Sequence, residues 1–230
     1  MSTLSHLRKP AALSLPIAAA YLPLGMALGL FVDSSGLAPY WAPIMGATIF
    51  AGSMEFVVVA LLLQHQTLPA VFLTTLTVNF RHVFYGLSLP VTRLDPLPAK
   101  LYGVFALTDE TYSVISSRRG KTLDGHQITG LQILTQCWWV GGTAIGALAG
   151  SFIPPSVGGF EFALVALFLV LSAEELLSLE HGEVLVYLAL AIVVGAAAHL
   201  LSGARVFLPV SLCSYVLLLI AHYFARGQYE

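Results

Sequence analysis

Charge is what this chain has least of. Of its 230 residues 10% are charged, ten of them basic and twelve acidic, while 57% are hydrophobic. A soluble domain carries about 25% charged residues, so the polar groups here are too few to clothe a globule in water. The composition is that of an integral membrane protein. A net charge of −2 leaves no basic stripe to meet phosphates, which argues against a nucleic-acid partner. Cysteine is nearly absent: Cys137 and Cys213 lie inside apolar runs and read as small buried hydrophobes, with neither a zinc pattern nor a disulfide framework. G-x-S-x-G and H-E-x-x-H are missing too, so no hydrolase or metalloprotease block is visible, and nothing points to a cofactor or a metal.

What is abundant is apolar sequence. Runs cover residues 11–32, 39–63, 67–90, 99–117, 127–153, 158–179, 183–203 and 206–225, against the roughly 20 residues a helix needs to span a bilayer. They predict an all-α integral membrane protein, one polytopic transmembrane domain over residues 1–230 with about seven or eight helical segments, some broken or re-entrant. The run 99–117 is the one most suited to a broken or re-entrant element, because it is short and holds Asp109 and Glu110. Irregular backbone at membrane depth survives only where protein shields it or it lines a cavity. Arg8 and Lys9 precede the first run, and Ala18–Ala20 formally fit a cleavage site. Hydrophobicity continues to Val32, however, so a retained first helix is expected.

With eight crossings and a cytoplasmic N-terminus, Arg8, Lys9, Arg118, Arg119, Lys121 and Arg226 fall inside, and Arg93, Lys100 and Arg205 outside. Pro16 and Pro23 are expected to interrupt the first segment. The pairs Gly25/Gly29 and Gly142/Gly146, the latter extended by Gly150, have the small-xxx-small spacing of close helix contacts. Gly25-Met-Ala-Leu-Gly29 also echoes Gly142-Thr-Ala-Ile-Gly146, as paired repeats of carriers do.

The polar residues within these runs carry the functional reading. They cluster as Gly52-Ser53-Met54-Glu55, as Asn79-Phe80-Arg81-His82, as Thr108-Asp109-Glu110 with Tyr112, and as Gln136 beside Trp138-Trp139. An arginine in mid-bilayer costs about 2.5–3.5 kcal/mol on insertion scales and faces protein or a watery cavity. On one continuous helix Thr75, Asn79, His82 and Gly86 would share a face. If 39–63, 67–90 and 99–117 cross alternately, Glu55 and Arg81 differ by about 10 Å in depth, whereas Asp109 and Glu110 match Arg81. Arg81 is therefore expected to pair with Asp109 or Glu110, leaving Glu55 more independent. Glu55 and His82 are the candidates to carry a coupled proton. A helix break at Gly52-Ser53 would expose an N-terminus to a substrate carboxylate, although the same two residues also suit tight packing. Trp138 and Trp139 read as core or as a pocket wall.

The run Phe50-Ala-Gly-Ser-Met-Glu-Phe56, then Leu73 to Ser88 with its Asn-x-Arg-His, then Leu107-Thr-Asp-Glu-Thr-Tyr112, together with Pro16–Gly29, resembles the AzlC-type proteins, the large subunits of bacterial branched-chain amino acid exporters. The likeness extends through Leu169. It departs at Glu55, where many relatives have glutamine, and at Val165, where the family often has proline. The resemblance implies export of leucine, isoleucine and valine, with methionine at the edge of the class, across the bacterial inner membrane. It also implies a small AzlD-type membrane subunit as partner. Gly52, Ser53, Glu55, Asn79, Arg81, His82, Thr108, Asp109 and Glu110 are then the candidate substrate and coupling residues. A channel with the same lining, an intramembrane enzyme and an accessory subunit without its own coupled transport are the rival readings.

Overall fold

The computed structural model describes residues 3–154 and 181–202, with isolated positions at 159, 162, 165, 166, 169, 173, 214, 217 and 218. Those residues are helical or irregular, and none of them is in a strand. The chain forms two compact units: residues 1–66 with 79–166, and residues 67–78 with 167–230. The second unit contributes α4 (Leu68–Val78) and α9 (His181–Ser202). The first unit holds all nine candidate residues and is built around two long helices.

Helix α1 (Thr3–Ser34) and helix α8 (Gly125–Gly150) pack side by side and run the same way. Ser14 meets Trp138, Gly25 faces Trp139 and Gly142, Gly29 faces Gly146, and Asp33 reaches Gly150. The glycine pairs that echo one another in sequence thus pack against one another. A methyl group on Gly146 would lie 2.6 Å from Met26 Cα, and one on Gly142 would lie 2.9 Å from the Leu22 carbonyl oxygen. Only backbone on backbone fits there, which is how small residues bring helices close where lipid supplies no hydrophobic drive. Pro16 and Pro23, expected to interrupt α1, do not. Both are exposed, whereas Ile17, Tyr21, Leu28 and Val32 of the same helix are buried. The helix ends at Gly36, whose φ of +76° lets Gly36 N–H bond back to the Asp33 carbonyl at 3.0 Å. Helix α8 begins at a capping box in which Asp124 accepts from Gln127 N–H at 2.8 Å and Gln127 accepts in return.

Two hairpins enter this pair from opposite ends. The first is α2 (Trp41–Thr48) followed by α3 (Gly52–Leu63). Helix α2 descends α8 from its C-terminal end, so that Gly46 lies against Trp139 and the Ala47 carbonyl accepts from Gln136 at 3.0 Å. The backbone turns at Phe50, whose φ of +47° is the left-handed region that costs an ordinary residue about 1–2 kcal/mol. Helix α3 then climbs back, placing Phe56 in a stack with Phe31 at 5.9 Å, near the C-terminal end of α1. The second hairpin is α6 (Leu97–Phe105) followed by α7 (Asp109–Ser116), and it enters from the other end. Gln132 donates to the Gly103 carbonyl at 2.7 Å and Tyr102 to Gln136 at 2.7 Å as α6 rises beside α8. Helix α7 then returns alongside α5 (Arg81–Ser88). Arg93, before the hairpin, donates to the Lys121 carbonyl after it at 3.1 Å. The tips meet: Phe50 and Phe105 are 6.4 Å apart, and the Tyr21 hydroxyl lies 2.7 Å from Thr108 Oγ1.

This geometry corrects three expectations. The runs 39–63 and 67–90 are each two helices rather than one, α4 stopping at Val78 and α5 restarting at Arg81, so Thr75, Asn79, His82 and Gly86 do not share one helical face. The run 39–63 turns back on itself at Phe50 rather than continuing as one antiparallel segment, and 99–117 is broken before Asp109 and returns towards the end it came from. Arg93 and Lys121, assigned to opposite sides of a membrane by the alternating count, are hydrogen-bonded at the same end. Cys137, expected inside, is exposed on α8, and the runs 158–179 and 206–225 and Cys213 lie largely outside the described residues. Among the described residues one helix, Arg8–Ser34, is long and apolar enough to cross a bilayer unbroken, and Gly52–Leu63, Leu68–Val78 and Ala189–Leu201 are shorter apolar helices.

Candidate functional site

At the first tip, the turn frees the N–H groups that open α3. Glu55 reaches back one turn and accepts from Ala51 N–H at 3.0 Å, closing the break as the far member of a capping box does. The Trp139 indole N–H reaches both of its oxygens, at 3.0 and 3.1 Å. Glu55 is wholly buried, with 0% of its surface exposed, and among the described residues it has no cation partner. An unpaired carboxylate in an apolar interior is tolerable only with such donors around it. Gly52 is glycine because the Trp139 ring lies over it: an added Cβ would sit 3.0 Å from the indole edge. The α3 N-terminus, for which the sequence allowed either a carboxylate site or tight packing, is occupied by Glu55 and covered by Trp139. Gly52 is a packing residue there, and Ser53 is buried beside it.

At the second tip different residues close the break. Thr108 caps α7, accepting from Thr111 N–H at 3.4 Å, while Thr111 Oγ1 accepts from Thr108 N–H at 2.8 Å. The acidic side chains of the first turn are released from capping. Glu110 accepts from the Tyr21 hydroxyl at 2.6 Å. Asp109 Oδ2 receives Arg81 Nη2 at 2.7 Å, in a pair whose side chains keep 35% exposure for arginine and 21% for aspartate. The pairing expected from depth alone is therefore present. It survives the change of topology because the middle of a hairpin segment is its tip, which also lies at mid-height.

Helix α5 presents Arg81 in its first turn, beside the break at Asn79-Phe80. His82 donates Nδ1–H to the Asn79 carbonyl at 3.2 Å and sets its ring 5.7 Å from Tyr85. Tyr85 stacks on Tyr112 at 4.4 Å and lies beside Asp109. Tyr21 joins the two tips: its hydroxyl serves Thr108 and Glu110, while its ring packs edge-on against Trp139 at 5.3 Å and Phe50 at 6.5 Å. Tyr21 is not among the sequence-derived candidates, and Trp139 was among them only as a core or pocket-wall residue. Tyr21 and the pair Trp138-Trp139 each stand one turn before a glycine pair, so an aromatic donor at the head of each close-packed seam was the signal available.

Interrupted helices that bring charges of both signs to two opposed tips define an all-helical protein with a buried polar centre. Its lineage follows from comparison: the AzlC protein family matches residues 16–153, which take in α1 from Pro16 onward, α8 and both hairpins, and this chain belongs to that family. The branched-chain amino acid transport protein AzlC of Bacillus subtilis (strain 168) is 35% identical over 203 residues, covering 86% of this chain and 78% of that protein. The inner membrane protein YgaZ of Escherichia coli (strain K12) is 32% identical over 166 residues, 68% of this chain and 67% of its own length. An uncharacterized membrane protein of Archaeoglobus fulgidus is 32% identical over 175 residues, 74% and 76%. No solved structure matches the chain.

Proposed function

We propose that this chain is the large subunit of a two-component secondary exporter that carries branched-chain amino acids out across the bacterial inner membrane, driven by the proton gradient. The observation that carries the proposal is the meeting of two opposed hairpin tips around groups of both charges. Carriers hold substrate near the midplane, where helices are discontinuous, and two tips approached from opposite ends are two places at which access can be closed. Leucine, isoleucine and valine are the substrates, in keeping with the name of the Bacillus subtilis branched-chain amino acid transport protein, with methionine at the edge of the class. An AzlD-type small membrane subunit is the partner. Glu55, buried and without a cation partner among the described residues, is the group assigned to the coupled proton, and Asn79, Arg81, His82, Thr108, Asp109 and Glu110 line the substrate path.

The hairpins also reorder the topology. Arg8, Lys9, Arg93, Lys100, Arg118, Arg119 and Lys121 belong to the end of the first unit where α1 and α8 begin, and up to residue 154 the opposite end has no lysine or arginine. Positive residues gather on the cytoplasmic side, so a cytoplasmic N-terminus is favoured more strongly than by the alternating count. In this multi-pass topology residues 1–230 are one polytopic domain, in which 39–63 and 99–117 are re-entrant hairpins.

Efflux of preloaded radiolabelled leucine from cells expressing the chain, with and without the small subunit and with and without a protonophore, tests the proposal. Saturable efflux that needs the partner and collapses with the gradient is the expected result. Linear efflux without counter-flow would make it a channel. Full efflux from an Arg81→Ala/Asp109→Ala variant would make it an accessory subunit.

A further inference from the structure

The polar groups at the two tips divide by whether the chain already satisfies them. Glu55 accepts from Ala51 and Trp139, Glu110 accepts from Tyr21, and Thr108 and Thr111 satisfy each other. Four buried side-chain atoms among the described residues have no hydrogen-bond partner: Asn79 Oδ1, Arg81 Nε, Asp109 Oδ1 and Gln132 Oε1. Three of these four belong to residues 79, 81 and 109, that is, to the break before α5 and the ion pair that ties α5 to α7. Buried polar atoms are normally paired, and an unpaired group in a native structure calls for an account.

The three atoms are chemically a set. Arg81 spends Nη2 on Asp109 Oδ2 and keeps its Nε–H, a charged donor suited to a carboxylate. Asp109 Oδ1 and Asn79 Oδ1 are two acceptors that no group of the chain meets in good hydrogen-bond geometry, with the Tyr85 hydroxyl beside Asp109, and acceptors suit an ammonium group with its three N–H bonds. A donor of positive charge beside acceptors of negative or neutral charge matches a zwitterion. It does not match an acid or an amine alone, either of which would leave one side unanswered.

Resting on the exporter reading, we infer that Asn79, Arg81 and Asp109 form the head-group site for an α-amino acid. Arg81 Nε–H donates to the α-carboxylate, and Asp109 Oδ1 and Asn79 Oδ1 accept from the α-ammonium. Glu55 is excluded from head-group binding because both of its oxygens already serve Trp139 and Ala51, and Glu110 is held through Oε2 by Tyr21. The site reads the amino and carboxyl groups together. Discrimination against analogues that lack one charged group is therefore strong, because a site built to hydrogen-bond a group rejects the ligand without it.

The test is competition against radiolabelled leucine bound to the purified full chain with its small subunit. The competitors are 3-methylbutylamine, which is leucine without its carboxylate, and 4-methylpentanoate, which is leucine without its amine. Each is expected to compete at least ~10-fold less well than leucine at the unaltered site, from the loss of charged hydrogen bonds. In Asp109→Asn and Asn79→Leu the penalty against 4-methylpentanoate shrinks while that against the amine persists. In Arg81→Gln the pattern reverses. Where loss of one ion-pair member prevents folding, Asn79→Leu leaves the pair intact and decides the matter alone. Leucine binding with unchanged analogue preferences in Asn79→Leu overturns the head-group assignment and leaves the exporter reading standing. An unaltered complex that neither binds nor exports leucine overturns that reading, and this assignment with it.

Discussion

At the tip of α2–α3 a glutamate closes its own helix break, whereas at the tip of α6–α7 two threonines do so and the acidic side chains are left to other partners. The two tips carry the same short pattern, Phe50-Ala-Gly-Ser-Met-Glu55 and Phe105-Ala-Leu-Thr-Asp-Glu110. In each, the final glutamate is held by an aromatic donor from a long helix, Trp139 in the first and Tyr21 in the second. The difference lies in the residue just before α7's glutamate and in the cap. Met54 is an apolar, buried residue, while its counterpart Asp109 is charged and paired with Arg81. One tip is thereby sealed around a carboxyl group that has no cation partner among the described residues, and the other is open enough to hold an ion pair at partial exposure. Similar local patterns thus give two different environments, and under the proposed function these are the proton-carrying tip and the head-group tip, according to which side chain closes the helix break.

Substitutions can break or sharpen this contrast. The largest effect is expected from Trp139→Ala, which removes a buried indole and strands Glu55. A loss of about 3–5 kcal/mol should appear as a large drop in thermal stability in detergent. Next comes Arg81→Ala, which leaves Asp109 unpaired. Breaking a fully buried pair costs about 3–5 kcal/mol, and with this pair partly exposed the loss should be nearer 1–3 kcal/mol. The exchanged pair Arg81→Asp/Asp109→Arg should regain part of the lost stability, and an exchange no more stable than the single variant would mean the pair is not the tie between α5 and α7.

The sharpest comparison is Trp139→Phe against Tyr21→Phe, each of which deletes one donor and keeps a ring. The first should cost about 2 kcal/mol and the second about 1 kcal/mol, because Glu55 is sealed and Glu110 is partly open. Equal or reversed losses in denaturant titrations would end the distinction between a sealed and an open tip. Gly52→Ala should be mildest, about 1 kcal/mol as the indole edge gives way by a few tenths of an ångström, with a shift in tryptophan emission as its marker.

Much of the polar centre was legible in the sequence, and for a physical reason. Charges are so rare in these apolar runs that Glu55, Arg81, Asp109 and Glu110 identify themselves, and mid-segment position is a fair proxy for mid-height whether a segment crosses or turns back. The start of α7 was legible as well, since Thr108 followed by Asp109, Glu110 and Thr111 is good helix-opening chemistry. The turn at Phe50 was not. No glycine or proline occupies the left-handed position, and the ring is held there by Tyr21 and Phe105, residues distant in sequence. The loop charges misled for the same reason: counting sides by alternation assumes that every apolar run crosses.

The sequence by itself determined that the chain is helical and apolar, that close glycine seams exist, and that a few charges lie where only protein can shelter them. Each of these follows from composition or from spacing along one helix. Only the tertiary structure decided that the two seams face each other, that two runs turn back to meet tip to tip, and that Glu55 is enclosed by Trp139 while Asp109 holds Arg81. Those outcomes depend on which surfaces meet, and backbone contact between Gly29 and Gly146 or an aromatic donor from a distant helix leaves no trace in local periodicity.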